Sequence, residues 1–171
     1  MNRNRAVLVL VLIVPALRAS QPQSNSLSAG ASFPTGDFSS QAFTGFGFAL
    51  LSETGVSVGS LDIRGDITFD RFGGRLAGSR YQYQSFGLSL IKEASAGVYW
   101  LAGWSLYQAS DQATVNGKTG TLNHNNGGLK AGLGVNFALF HRAVFIEGNY
   151  IKLLAPNPAP AWIPLRFGVR F

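Results

Sequence analysis

Two histidines, His124 and His141, are the only imidazoles in the 171-residue chain, and it has no cysteine. Nucleophilic hydrolysis needs a hydroxyl, a base within hydrogen-bond reach and a third group that orients the base. His124 with Ser110 or Asp111 offers part of that set, and all three lie within the stretch "QASDQATVNGKTGTLNHNN". That stretch is polar and rich in turn formers, so it reads as a flexible loop with nothing rigid to hold the three side chains in place. His141 lies in the short turn "FHR", and both histidines read as solvated loop residues. The lack of thiols excludes disulfides and cysteine-based metal centres. "GGRLAG", "NHNNGG" and "NGKTG" are glycine-rich, but none sits between a strand and a helix, as a phosphate cradle requires. No catalytic, cofactor-binding or metal-ligating set is expected.

The other chemistry on offer is ion pairing. Asp62, Arg64 and Asp66 alternate along "LDIRGDITFD", Arg166 and Arg170 recur in the terminal "WIPLRFGVRF", and Glu147 lies in "VFIEGNY". A period of two collects such residues on one face of a strand, opposite an apolar face. Ile63, Leu165, Phe167, Val169 and Phe171 occupy that second face.

These residues must be positioned by the rest of the chain. Only 13% of residues are charged, about half the usual share for a soluble domain. No apolar run reaches the roughly 18 residues of a membrane helix. The N-terminus has Arg3 and Arg5, an apolar core from Ala6 to Leu17, and small residues at Ala16, Ala19 and Ser20. This reads as a signal peptide, residues 1–19, cut after Ala19 or alternatively after Ala16. Residues 20–26 are a short polar leader, and 27–171 form one domain. Loss of Arg3, Arg5 and Arg18 lowers Lys+Arg from 14 to 11 against 8 acids, a net +3. The remaining cations are scattered, which argues against a nucleic-acid partner.

Period-two patterns mark eight strands: 27–33, 43–51, 60–72, 81–91, 98–107, 129–139, 143–153 and 162–171. Connections after the odd-numbered strands are long, the third (108–126) longest; "SETG", "KEASA" and "FHR" are short. Turns short at one end and loops long at the other are the habit of a barrel threaded through a membrane. The expected fold is therefore all-β: a closed, eight-stranded, antiparallel up-and-down transmembrane barrel. In such a barrel the large apolar faces look out at lipid and the Gly/Ser/Asp/Arg faces look in, the inverse of a soluble lipocalin-like barrel, which is the structural rival. Asp62, Arg64, Asp66, Glu147, Arg166 and Arg170 are then expected to form one lumen network. Asp62 and Arg170 would lie low and Asp66 and Arg166 at mid-height. Tyr81, Tyr83, Tyr107 and Trp162 at the loop side, with Trp100 and Phe171 at the turn side, read as interfacial girdles.

"GASFPTGDF", "LDIRGDITFDRFGG" and "IPLRFGVRF" resemble segments of the small eight-stranded bacterial outer-membrane barrels, the OmpA/OmpX-like superfamily, and the resemblance spans nearly all of 27–171. It implies an outer-membrane location reached through the periplasm, lipid as a partner, and recognition of Leu165, Phe167, Val169 and Phe171 by the barrel-assembly machinery. The leading expectation is a non-enzymatic, monomeric surface protein, with a possible extracellular ligand at the third loop. A narrow pore is the alternative. A lipid-modifying enzyme is the second, although "TLNHNNGG" lacks the serine two places after the histidine that lipid A deacylases would suggest.

Overall fold

A computed structural model describes residues 24–95, 97–115, 118–155 and 159–171. The expected signal peptide and most of the leader lie outside the described residues. Eight strands follow in order: β1 (Asn25–Thr35), β2 (Gly45–Val58), β3 (Leu61–Gly73), β4 (Arg80–Ser95), β5 (Val98–Val115), β6 (Lys118–Leu139), β7 (Arg142–Leu153) and β8 (Ala161–Arg170). Each pairs antiparallel with its sequence neighbours, and β1 pairs with β8, so the sheet closes on itself. The closing ladder runs from Ser26↔Arg170 to Thr35↔Ala161. It is extended by mutual backbone hydrogen bonds between Asn25 and Phe171 at 3.1 and 2.9 Å.

The two faces separate as the alternation requires. Trp104, Leu133 and Phe167 are 48%, 65% and 44% exposed on the outside. Arg64, Asp66, Asp70, Lys130, Glu147 and Arg166 are buried within. A soluble barrel would show the opposite arrangement. Small residues on the inner face make this filling possible. A Cβ at Gly47 would collide with the Asp70 carboxylate, and one at Gly134 with the Tyr99 ring. The β7–β8 ladder skips from Gly148↔Leu165 to Ile151↔Trp162. Pro164 stands in that gap and has no N–H to donate.

The ends differ from expectation in one important place. The stretch 108–126 is not a loop. β5 and β6 stay paired out to Val115↔Lys118, leaving Asn116 and Gly117 between them. In sequence an Asn-Gly pair is the strongest short hairpin signal, and the strand pairing on either side agrees with that signal rather than with the polar, turn-rich composition. The first outer connection also carries structure, a short 3-10 helix at Gly36–Ser40.

At the other end, β6 and β7 are joined by Phe140 and His141, with φ of 47° and 61°. Two successive left-handed residues make a turn that suits Asn-Gly and strains bulkier side chains. Exchanging Phe140-His141 for Asn-Gly should raise the unfolding free energy by about 1–2 kcal/mol, read as a higher urea midpoint for the barrel in lipid vesicles. An unchanged or lower midpoint would mean that the turn stores no strain.

Candidate functional site

The lumen is where the chain places its chemistry. At its centre Arg64 grips Glu147 with two hydrogen bonds, 2.6 Å to Oε2 and 2.9 Å to Oε1. Tyr99 donates its hydroxyl to Glu147 Oε2 at 2.8 Å, and Asn149 donates its amide to Oε1 at 2.8 Å. Lys130 pairs with Asp66, which also accepts a bond from Ser89 at 3.3 Å. Further out, Arg166 binds both oxygens of Asp70, at 2.9 and 2.8 Å, and Ser32 donates to Oδ1 at 2.6 Å. Charge-assisted pairs of this kind are short and directional. Every one of these charged side chains is almost wholly removed from solvent, and each has an opposite charge in contact.

Of the six residues expected to form one network, the structure brings Arg64, Asp66, Glu147 and Arg166 into the buried lumen. Asp66 and Arg166 do not pair with each other, because Lys130 and Asp70 take those roles. Asp62 and Arg170 stand apart at the end with the short turns. Asp62 is exposed and accepts a bond from Ser57 at 2.6 Å. Arg170 reaches Glu53 at 3.2 Å, both partly exposed. They border a cavity of about 360 Å³ that Glu93, Asn136 and Tyr99 also line. Lys130 and Asp70 were missed despite a usable signal: each shares strand parity with inward glycines or acids.

The outer end is closed by aromatic rings. Phe38, carried in by the 3-10 helix, packs edge-on against Phe72 at 5.2 Å and Tyr81 at 5.3 Å. Trp162 stacks on Tyr83 at 4.9 Å and meets Tyr107 edge-on at 5.6 Å. Tyr83, Tyr107 and Trp162 are therefore not girdle residues; Trp162 is 0% exposed. Tyr81 is partly buried against the same cluster. Their parity with Ser85, Ser105 and Arg166 already put them inside; composition had suggested the membrane edge. Trp100 and Phe171 do face outward, as do Leu165, Phe167 and Val169.

The hydrolytic set does not assemble. His124 pairs in register with Ala109 and shares the inner face with Asp111, 4.0 Å away. Ser110, the next residue along, faces the other side of the ladder. His141 lies at the far end, in the β6–β7 turn. No group of three or more His, Cys, Asp or Glu suited to a metal ion occurs among the described residues. Burial in the hairpin raises the Asp111 carboxyl above its usual range, and the His124 imidazole partly counters this.

The class that these features define is a transmembrane β-barrel with a filled lumen. No protein-family model and no curated protein sequence matches the chain. Among solved structures it resembles Ail, the attachment invasion locus protein of Yersinia pestis, with a TM-score of 0.60 and 13% identity over 88% of this chain and all of that one. Ail has also been solved in complex with the heparin analogue sucrose octasulfate. Neisserial surface protein A gives 0.55 and 14% over 86% of this chain and 95% of that one. The N-terminal barrel of Pseudomonas aeruginosa OprF gives 0.58 and 11% over 88% and 98%. The fold is thus that of the small eight-stranded outer-membrane barrels.

Double-mutant cycles should show strong coupling for Arg64–Glu147 and Arg166–Asp70. Removing one partner alone should cost about 3–5 kcal/mol. Asp62–Arg170 should show coupling near zero. Comparable coupling at all three pairs would contradict this partnering. At the hairpin, ionised Asp111 opposes folding, since burial favours its neutral form. That penalty holds above its raised folded pKa and is relieved as pH falls through it. His124→Ala should move the Asp111 titration further upward by carboxyl-carbon NMR; a downward shift would refute the imidazole's role.

Proposed function

We propose that the chain is a non-enzymatic integral protein of the outer membrane, reached through the periplasm, whose work is done by the surface it presents outside. The observation that carries this reading is the closed lumen. A cavity among the ion pairs has a volume of about 10 Å³, room for about one water-sized sphere, and the side chains around it are almost wholly buried. An aromatic plug lies above it. Steady conduction of hydrated ions does not suit such a path, which weakens the pore reading. The separation of Ser110 from His124 weakens the enzyme reading.

The outer end offers the projecting β5–β6 hairpin and a cationic rim. Arg75, Arg80, Lys118 and Lys152 are exposed there, against exposed Asp37 and half-buried Asp111. This charge favours an anionic surface ligand, such as a sulfated glycan, through long-range attraction. The polysulfate held by Ail, a protein of the same fold, is consistent with that class of partner. Lipid contacts the apolar exterior. The outward row Leu165, Phe167, Val169 and Phe171 is the proposed address for the barrel-assembly machinery, and the barrel is proposed to act as a monomer.

The test uses the full barrel in lipid nanodiscs on immobilised heparin. Wild type should bind at low salt and release as salt rises, because exposed charges are screened. Arg80→Glu with Lys118→Glu should weaken binding and flatten its salt dependence, with heat-modifiable gel mobility unchanged. Absence of binding, or indifference to both substitutions, would sink the anionic-ligand reading. A defined single-channel conductance in planar bilayers would promote the pore instead.

A further inference from the structure

The small cavity at mid-lumen is lined by Arg64 and Asp66 from β3, Asn149 from β7 and Arg166 from β8, among others. Each of these four side chains is at most 5% exposed. Each also carries one buried polar atom with no hydrogen-bond partner among the described residues: Arg64 Nε, Asp66 Oδ1, Asn149 Oδ1 and Arg166 Nε. Neighbouring groups on the same side chains are engaged: both Arg64 Nη atoms on Glu147, Arg166 Nη2 on Asp70, Asp66 Oδ2 on Lys130 and Ser89, and the Asn149 amide nitrogen on Glu147. The last bond fixes which end of the Asn149 amide is oxygen, so the free group there is an acceptor.

We infer that this cavity is a binding site for a single water molecule that joins the lumen's ion pairs into one network. The four groups are two N–H donors and two oxygen acceptors. A water offers the complementary set, two lone pairs and two O–H donors. The volume, about 10 Å³, is at the lower limit for one water, and a buried water needs two to four polar partners. Buried polar groups left unpaired cost about 1–3 kcal/mol each, so four on residues that line one small cavity make a strong demand. The surrounding charges balance: Arg64, Lys130 and Arg166 stand against Asp66, Asp70 and Glu147. A neutral guest therefore fits where a chloride or an alkali cation would leave the lumen charged. Because β3 lies across the barrel from β7 and β8 in strand order, the water braces opposite walls. This site does not depend on what the outer surface binds.

The test is a high-resolution crystal structure of the refolded full barrel, with a second crystal soaked in bromide. One ordered density peak is expected at hydrogen-bond distance, about 2.7–3.2 Å, from all four atoms, without anomalous signal after the soak. In solution, magnetic relaxation dispersion should count one fewer long-lived water in Asn149→Leu than in wild type. The variant's urea midpoint should also fall. Direct pairing of the four groups with one another, featureless density at the site, or an anomalous bromide peak there would each overturn the assignment. The wild-type crystal decides the matter even if the variant fails to fold.

Discussion

Hydrocarbon offers no partner to a backbone N–H or C=O, and this governs everything else in the molecule. Each unpaired group in lipid costs several kcal/mol, so a strand-built span has no stable form with an edge. The β1–β8 ladder supplies the closure, and Phe171 carries it to the last residue. Once the sheet is closed, the outside must be apolar. Polar and ionic side chains then have only one place to go, the axis. The lapse in the β7–β8 ladder at Pro164 is tolerable because Pro164 itself faces the filled interior and is fully buried.

Eight strands leave an interior that side chains can fill, and filling it with charge is expensive unless each ion has a partner. Buried pairs recover little net stability over apolar packing, whereas an orphaned ion is severely costly. The lumen meets this with three cations and three carboxylates in one-to-one contact. Hydroxyls from Ser32, Ser89 and Tyr99 add further bonds to the three carboxylates. Glycines opposite the longest side chains are the geometric half of the same solution. The Asp70 carboxylate fills the space over Gly47, and the Tyr99 ring that over Gly134. Such a lumen is specific because each long side chain has one place to lie.

Strand parity was the legible part. Alternation in "LDIRGDITFD" and in "IPLRFGVRF" placed those residues on the correct face, and with them the closed fold; Trp162, just before the second stretch, is the exception. Partner choice was not legible, because depth along a tilted strand depends on the stagger between strands. Asp66 and Arg166 look level when strands are aligned end to end; the actual stagger sets Asp66 beside Lys130 and Arg166 beside Asp70. Tyr83, Tyr107 and Trp162 were misplaced for a different reason. Aromatics at strand ends are typical of membrane girdles, and that expectation was allowed to outweigh their parity. In the third connection, "VNGK" held the hairpin signal while the surrounding Ser, Asn, Thr and Gly suggested a loop. Burial does not distinguish those readings, since a hairpin standing above the membrane has water on both sides.

The filling is uneven along the axis, and that bears on where activity can reside. The end with the short turns opens into a polar cavity of about 360 Å³. The centre is dense with ion pairs, and the outer end is sealed by Phe38, Phe72, Tyr83, Tyr107 and Trp162. A solute entering from the short-turn side would meet charged groups already committed to one another and then a dry aromatic stack. Moving it onward would require breaking buried pairs and displacing the 3-10 helix that anchors Phe38. Breaking one such pair alone costs about 3–5 kcal/mol. This is the physical ground for proposing that contact with the outside is made on the rim and on the β5–β6 hairpin. There the strands continue past the apolar band, and the exposed charges include Arg75, Arg80, Lys118 and Lys152 against Asp37.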